Sequence, residues 1–222
     1  RGEVEVNRAL PLVGSTLEGA LVVGAAIVVA LVAIALSVEV NRVFDVPKAL
    51  VLKTLGCGLF AVWLLYGLFG RGYVWRSAAV FFAPVLALAS VATISSFLSI
   101  DVPTSLYGVY ERQFGLHGFL GCLALFFIAA TCLRTRAAAL FGIVCLAIVG
   151  AIVGSYSLLQ ARGLDPWGFF TAPHGKVYST LGNPTFAGNG LALVFPVCAV
   201  LAIVGAARSF RVTQHVRAIG PW

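Results

Sequence analysis

The side chains best suited to chemistry gather in two stretches. Ser99 to Gly115 reads SIDVPTSLYGVYERQFG and holds two tyrosines and the Glu111–Arg112 pair. Gln160 to Thr185 reads QARGLDPWGFFTAPHGKVYSTLGNPT and, at 26 residues, is far longer than a connection between neighbouring helices requires. Their cations are Arg112, Arg162 and Lys176. A guanidinium meets phosphate oxygens in bidentate fashion, whereas an ammonium acts as a point charge. Taken from the residues alone, Arg112 is better read as an exposed partner of Glu111 or a lipid-headgroup anchor. For Arg162 and Lys176 the binding and anchoring readings stay open. Ser179 and Thr180 suit a cap or the hydroxyls of a ligand, the cap being the simpler role. Asn183 and Pro184 shape a turn that starts a helix, with Gly182 supplying a conformation closed to other residues.

Other chemistry finds little support. His174 could titrate near neutral pH, but a general base must also reach its substrate, and spacing does not place it there. Asp165 precedes Pro166 and starts a turn; together with Asp101 and Glu111 it does not define a metal site. Cys57, Cys122, Cys132, Cys145 and Cys198 show no metal-ligand spacing and read as small packing residues. No cofactor signature is present, and none is expected. Trp167 and Tyr178 are read as interface anchors.

The elements that carry these stretches follow from composition. With 60% hydrophobic and 10% charged residues and a mean hydropathy of +1.01, the chain has too few charges to clothe a soluble surface. Six apolar segments approach the roughly 20 residues a helix needs to cross a bilayer. They are Leu17 to Leu36, Ala49 to Phe69, Ser77 to Leu98, Leu116 to Leu133, Ala137 to Leu159 and Phe186 to Ala207. The expected fold is therefore all-α: one polytopic membrane helix bundle, residues 1–222 forming a single membrane domain. The run from Gly19 to Leu36 is too long for the apolar core of a signal peptide, so the first span should stay in the membrane. Gly150 and Gly154, and Gly115, Gly118 and Gly121, let helices approach closely. Pro84 and Pro196 lie inside spans and remove backbone donors there. Asn189, near the outer end of the sixth span and costly in lipid, is expected to face the bundle or the interface, inward packing being the better reading than ligand contact.

Charge sets the orientation. With the N-terminus in the cytoplasm, nine of the fifteen Lys and Arg residues lie on that side: Arg1, Arg8, Arg71, Arg76, Arg134, Arg136, Arg208, Arg211 and Arg217. Arg42, Lys48, Lys53, Arg112, Arg162 and Lys176 lie outside. Both termini are then cytoplasmic and both polar stretches face outward. The net charge of +7 is scattered over loops and tails, which points to anionic lipids and away from nucleic acid.

Three stretches resemble the O-antigen ligase and O-antigen polymerase family of bacterial membrane glycosyltransferases. GLDPWG at Gly163 to Gly168, followed by KVYSTLGNPTFAGNGLAL at Lys176 to Leu193, is similar to a family segment that leads into a helix. SLYGVYERQFG at Ser105 to Gly115 resembles a family loop with an arginine near its end. FDVPKALVLK at Phe44 to Lys53 resembles the family's approach to its second span. The chain has Thr185 where relatives often have asparagine, and Lys176 where they often have arginine. His117, His174 and His215 match no family histidine position, so no catalytic base is carried over.

The resemblance implies a bacterial inner-membrane protein that transfers glycan, with inversion, from an undecaprenyl-pyrophosphate carrier to an acceptor outside the cytoplasm. Arg112 is then the first candidate for the pyrophosphate, Lys176 the second and Arg162 the third. Ser179 and Asn183 complete the expected substrate-binding set. The implied partners are a lipid-linked oligosaccharide or polysaccharide, with other membrane subunits as further expected partners. The family continues into further spans and a later outer loop, so the chain, which begins at Arg1 and has no methionine, is expected to be the N-terminal half of a longer protein. The competing expectation is a non-catalytic, ligase-like structural subunit of a membrane complex.

The orientation has a direct test. In a variant without native cysteines, Ser99→Cys and Leu164→Cys should react with a membrane-impermeant maleimide added from outside, and Thr135→Cys only after permeabilisation. The reverse labelling pattern overturns the charge-based topology.

Overall fold

In the computed structural model seven helices follow one another among the described residues: α1 (Gly2–Ile34), α2 (Asp45–Phe69), α3 (Tyr73–Phe97), α4 (Val102–Tyr107), α5 (Leu116–Cys132), α6 (Arg136–Ala161) and α7 (Pro184–Ala218). The structure describes residues 2–37, 39, 43–69, 73–110, 113–165, 167 and 177–218, with side chains described for these except 2–15, 69, 73–81 and 208–218. Among the described residues there is no strand. Helices are what lipid demands, because each backbone N–H must find its acceptor within the chain.

Among the described residues four helices are long and apolar enough to cross a membrane: Thr16–Ile34 of α1, Asp45–Leu68 of α2, α6, and Pro184–Ala207 of α7. This marks the chain as a membrane protein. Phe82–Phe97 of α3 and Leu116–Cys132 of α5 are shorter apolar helical stretches. The exposed faces are greasy, with Leu193 and Phe195 of α7 exposed by 78% and 71%, surfaces that water would penalise and lipid does not.

Helix ends differ from the apolar runs for local reasons. α2 begins at Asp45, four residues before the expected Ala49, because Asp45 and Pro47 suit a first turn. α7 begins at Pro184 because Asn183 caps it: the Asn183 Oδ1 accepts from the Thr185 amide at 2.8 Å. α1 extends back to Gly2 and α7 on to Ala218, through polar sequence beyond the expected spans. α3 and α7 continue through Pro84 and Pro196.

The chain divides into two units, Arg1–Cys145 and Leu146–Trp222, with the boundary inside α6. In the first, α1 and α3 run antiparallel to α2, and α5 runs parallel to it. Trp63 of α2 is the centre: its ring stacks on Phe127 of α5 at 5.0 Å and 13°, and meets Phe82 of α3 edge-on at 6.3 Å. Its indole N–H donates to Thr131 Oγ1 at 2.9 Å, and that hydroxyl donates on to the Phe127 carbonyl at 2.6 Å. A tryptophan that is 2% exposed thus leaves no donor unmet. Toward the same end, the Tyr66 hydroxyl of α2 donates to Glu18 Oε1 of α1, giving an acid within an apolar helix its partner.

Small residues set the helix spacing. A Cβ on Gly121 of α5 would lie 2.9 Å from the Leu52 carbonyl oxygen, and one on Gly56 of α2 would lie 3.1 Å from the Gly121 Cα. Here two backbones touch. In the second unit α6 and α7 run antiparallel, with Gly150 seated under Val194 and Gly154 near Leu191. Of the expected close-packing positions, Gly121 and Gly150 are the tightest between helices. Cys132 is buried, Cys122 is exposed, and Cys57, Cys145 and Cys198 lie between.

Two substitutions test this packing. Trp63→Ala should cost about 3–5 kcal/mol and Gly121→Leu about 1–3 kcal/mol in detergent-driven unfolding. Unchanged midpoints would refute the α2–α5 contact.

Candidate functional site

The two polar stretches lie in different units, and each is built by its own local devices. In the first, α3 ends at Phe97 and α4 starts after Asp101. The Asp101 carboxylate accepts from the Thr104 hydroxyl at 2.5 Å and from the Thr104 amide at 3.2 Å. These two bonds hold its carboxyl below the usual carboxylate range. The depressed value means the cap is in place above an ordinary aspartate pKa of about 3.9 and is lost only as pH falls through the lower folded value.

α4 ends at Tyr107 and the chain then turns tightly. Gly108 sits at φ +89°, in the left-handed region that glycine occupies without steric cost. Gly108 and Gly115 approach so closely that a Cβ on either would collide with the backbone of the other. Between them the Gln113 amide donates to the Val109 carbonyl at 2.7 Å, with Gln113 itself at φ +50°. The Tyr107 ring stacks on His117 of α5 at 5.3 Å. Arg112, the first candidate, belongs to this pinched loop in sequence and lies outside the described residues.

In the second stretch, α6 runs to Ala161 and the amide of Arg162 donates to the carbonyls of Leu158 and Leu159 at 3.2 and 3.1 Å, closing the helix. Arg162 is exposed. Asp165 starts the expected turn: its Oδ1 accepts from the Trp167 amide at 3.1 Å. That oxygen also accepts from the Tyr156 hydroxyl at 2.9 Å, while Gln160 Nε2 lies 3.4 Å from Oδ2. Tyr156 meets Trp167 edge-on at 5.4 Å, and Trp167 stays 52% exposed. Lys176 lies outside the described residues, as does His174.

Where the chain is next described it is anchored firmly. Ser179 is completely buried at φ +52°, an uncommon conformation for a residue with a Cβ. Its amide donates to Gln160 Oε1 at 2.7 Å and its hydroxyl to the Val153 carbonyl at 2.9 Å. Val153 O also accepts the Ser157 hydroxyl at 2.8 Å. Gln160 is therefore a two-way bridge, with its amide nitrogen toward Asp165 and its oxygen toward Ser179. Gly182 at φ +73° turns the chain into the Asn183 cap.

Of the sequence-selected residues, the structure brings Arg162, Ser179 and Asn183 into the α6–α7 connection. Gln160 and Tyr156 are its central polar partners and were not selected, because each reads as an ordinary residue near the end of an apolar helix. Asn189 is exposed on α7, not packed inward, since Ala187 takes the buried position near it. Among the described residues no three His, Cys, Asp or Glu side chains converge as metal ligands.

The Gln160 bridge gives a quantitative expectation. Gln160→Ala leaves the buried Ser179 amide without its acceptor and should cost about 1–3 kcal/mol. Ser179→Ala keeps that main-chain amide and loses only the hydroxyl bond to the Val153 carbonyl, about 0.5–1.5 kcal/mol, so in unfolding measurements the glutamine should be the costlier loss. The reverse order would overturn the Gln160 bridge as the main anchor of this turn.

No protein-family model, curated protein or solved structure matches the chain.

Proposed function

We propose that the chain is part of an O-antigen ligase- or polymerase-like glycosyltransferase of the bacterial inner membrane, with six spans and both termini cytoplasmic. It acts on a glycan carried by undecaprenyl pyrophosphate and hands it to an acceptor on the outer side. The reading rests on the three resembling stretches, and above all on the segment from Lys176 to Leu193. The observation that carries most weight is the form of that segment. Ser179 is buried in a left-handed conformation and bonded to α6, and Asn183 caps α7, so a polar turn is held rigidly at the head of an apolar helix.

In the proposed reaction an acceptor hydroxyl attacks the anomeric carbon, the bond to the pyrophosphate oxygen breaks with inversion, and the acceptor's proton passes to a base. Negative charge grows on the departing pyrophosphate. Guanidinium and ammonium groups aimed at its oxygens lower the barrier because they are in place before the charge develops. Arg112, Lys176 and Arg162 take that role, with Arg112 first because a planar fork matches two phosphate oxygens. Ser179 and Asn183 belong to the same substrate-binding segment. Anionic lipids surround the basic rim.

The test uses the complete protein that contains this chain, in membranes supplied with its lipid-linked donor. Arg112→Ala should slow transfer by about 10²–10³-fold, with Arg112→Lys recovering only part of the loss. Unchanged transfer in Arg112→Ala, with the chain recovered in fixed ratio to other membrane subunits, would replace this reading with that of a structural subunit.

A further inference from the structure

Lys53 occupies a place where an apolar membrane helix has little use for an ammonium. It is the ninth residue of α2, about 12 Å along the axis from the helix start at Asp45. A lysine at such depth runs its stem along the apolar surface toward the nearest polar layer. Here the ammonium does not simply reach water. It donates to the Tyr107 carbonyl at 2.7 Å and lies 3.4 Å from Gln113 Oε1.

Those two acceptors sit on either side of one loop. Tyr107 is the last residue of α4, so its carbonyl is among those that a helix leaves without an internal partner, and a cation is favoured there. Gln113 stands on the returning limb, at φ +50°. The limbs are already drawn together by the Gly108–Gly115 contact and by the Val109–Gln113 hydrogen bond. Those devices close the loop on itself. Lys53 comes from 54 residues earlier in the chain and ties the closed loop to α2. An ammonium suits the task because it has three donors, no acceptor and a flexible reach.

We propose that Lys53 is a positioning residue: its ammonium ties the two described limbs of the connection, at Tyr107 and at Gln113, onto α2 and thereby sets the frame from which that connection meets substrate. The lock rests on geometry alone, and the positioning of substrate rests on the proposed transferase reading. A lysine that only seeks the polar layer would leave the loop indifferent to its replacement. A lock would not.

The experiment uses the complete protein in lipid nanodiscs and follows amide hydrogen exchange in peptides covering 104–115 and 121–132. Lys53→Met should speed exchange in the first peptide by about ten- to a hundredfold, the factor that a charge-assisted hydrogen bond is worth, and leave the second unchanged. Lys53→Arg, which keeps the charge but not the point contact, should fall between, and it carries the test if Lys53→Met exposes both peptides by failing to fold. Unchanged exchange in 104–115 overturns the lock, whatever the protein's activity. In the transfer assay, Lys53→Met should lower kcat by about tenfold with KM for the lipid-linked donor nearly constant, as loss of positioning requires. If the loop loosens and Arg112→Ala stops transfer while Lys53→Met does not slow it, the positioning role is overturned and the transferase reading stands. If the loop loosens but Arg112→Ala has no effect, the lock stands and the transferase reading falls.

Discussion

Lipid offers a polar group no partner, and most of what is specific in this structure answers that constraint. The apolar faces need only be greasy, which many sequences satisfy. The polar atoms have fewer solutions. Trp63 must deliver its N–H to Thr131, and Thr131 must pass the bond on to a helix carbonyl. Glu18 needs the Tyr66 hydroxyl, and Lys53 needs the end of α4. The Trp63–Thr131, Tyr66–Glu18 and Lys53–Tyr107 bonds join elements distant in sequence, so the polar minority decides which helices meet and in what direction. Close approach at Gly56 and Gly121 then supplies the dispersion contacts that hold them.

The same constraint explains why the two long connections are so heavily bonded. At the edge of an apolar slab, an irregular segment must meet its own backbone groups or be solvated. α4 and the loop after it meet them through Asp101, Lys53 and a pair of glycines; the second connection does so through Asp165, Gln160 and Ser179. The devices are alike in physics and unrelated in sequence. Each ties the described limbs of a connection to the helix beside them, α2 in the first and α6 in the second.

Hydropathy located the helices closely, because crossing lipid imposes a length and a composition that can be counted along the chain. It placed the start of α5 at Leu116 and the start of α6 within one residue. It missed the polar extension of α1 and the six-residue α4, which no apolar run announces. Asn183–Pro184 and Asp165–Pro166 were readable as turns because side chains of that kind bond their own backbone two residues on. The inner partners were not readable. Gln160 looks like the polar end of an apolar helix, and only the fold reveals that it faces Ser179 across 19 residues. Likewise Lys53 counted as one more outer charge until its acceptors were seen. Asn189 is exposed on α7 and does not pack against the described helices.

The bonds of Ser179 also impose an order on assembly. Its hydroxyl and its amide both find acceptors on α6, one of them a main-chain carbonyl already engaged in the helix. Neither acceptor is correctly oriented until α6 has formed. The return limb of the second connection therefore has nowhere to dock in a nascent chain whose sixth helix is still unwound. Once it docks, the strained torsion at Ser179 and the cap at Asn183 fix the direction in which α7 sets out. Vectorial synthesis delivers these parts in the required sequence, helix first, then turn, then the next crossing. A circularly permuted chain that emitted α7 before α6 would have to hold that helix in lipid with no template for its starting angle.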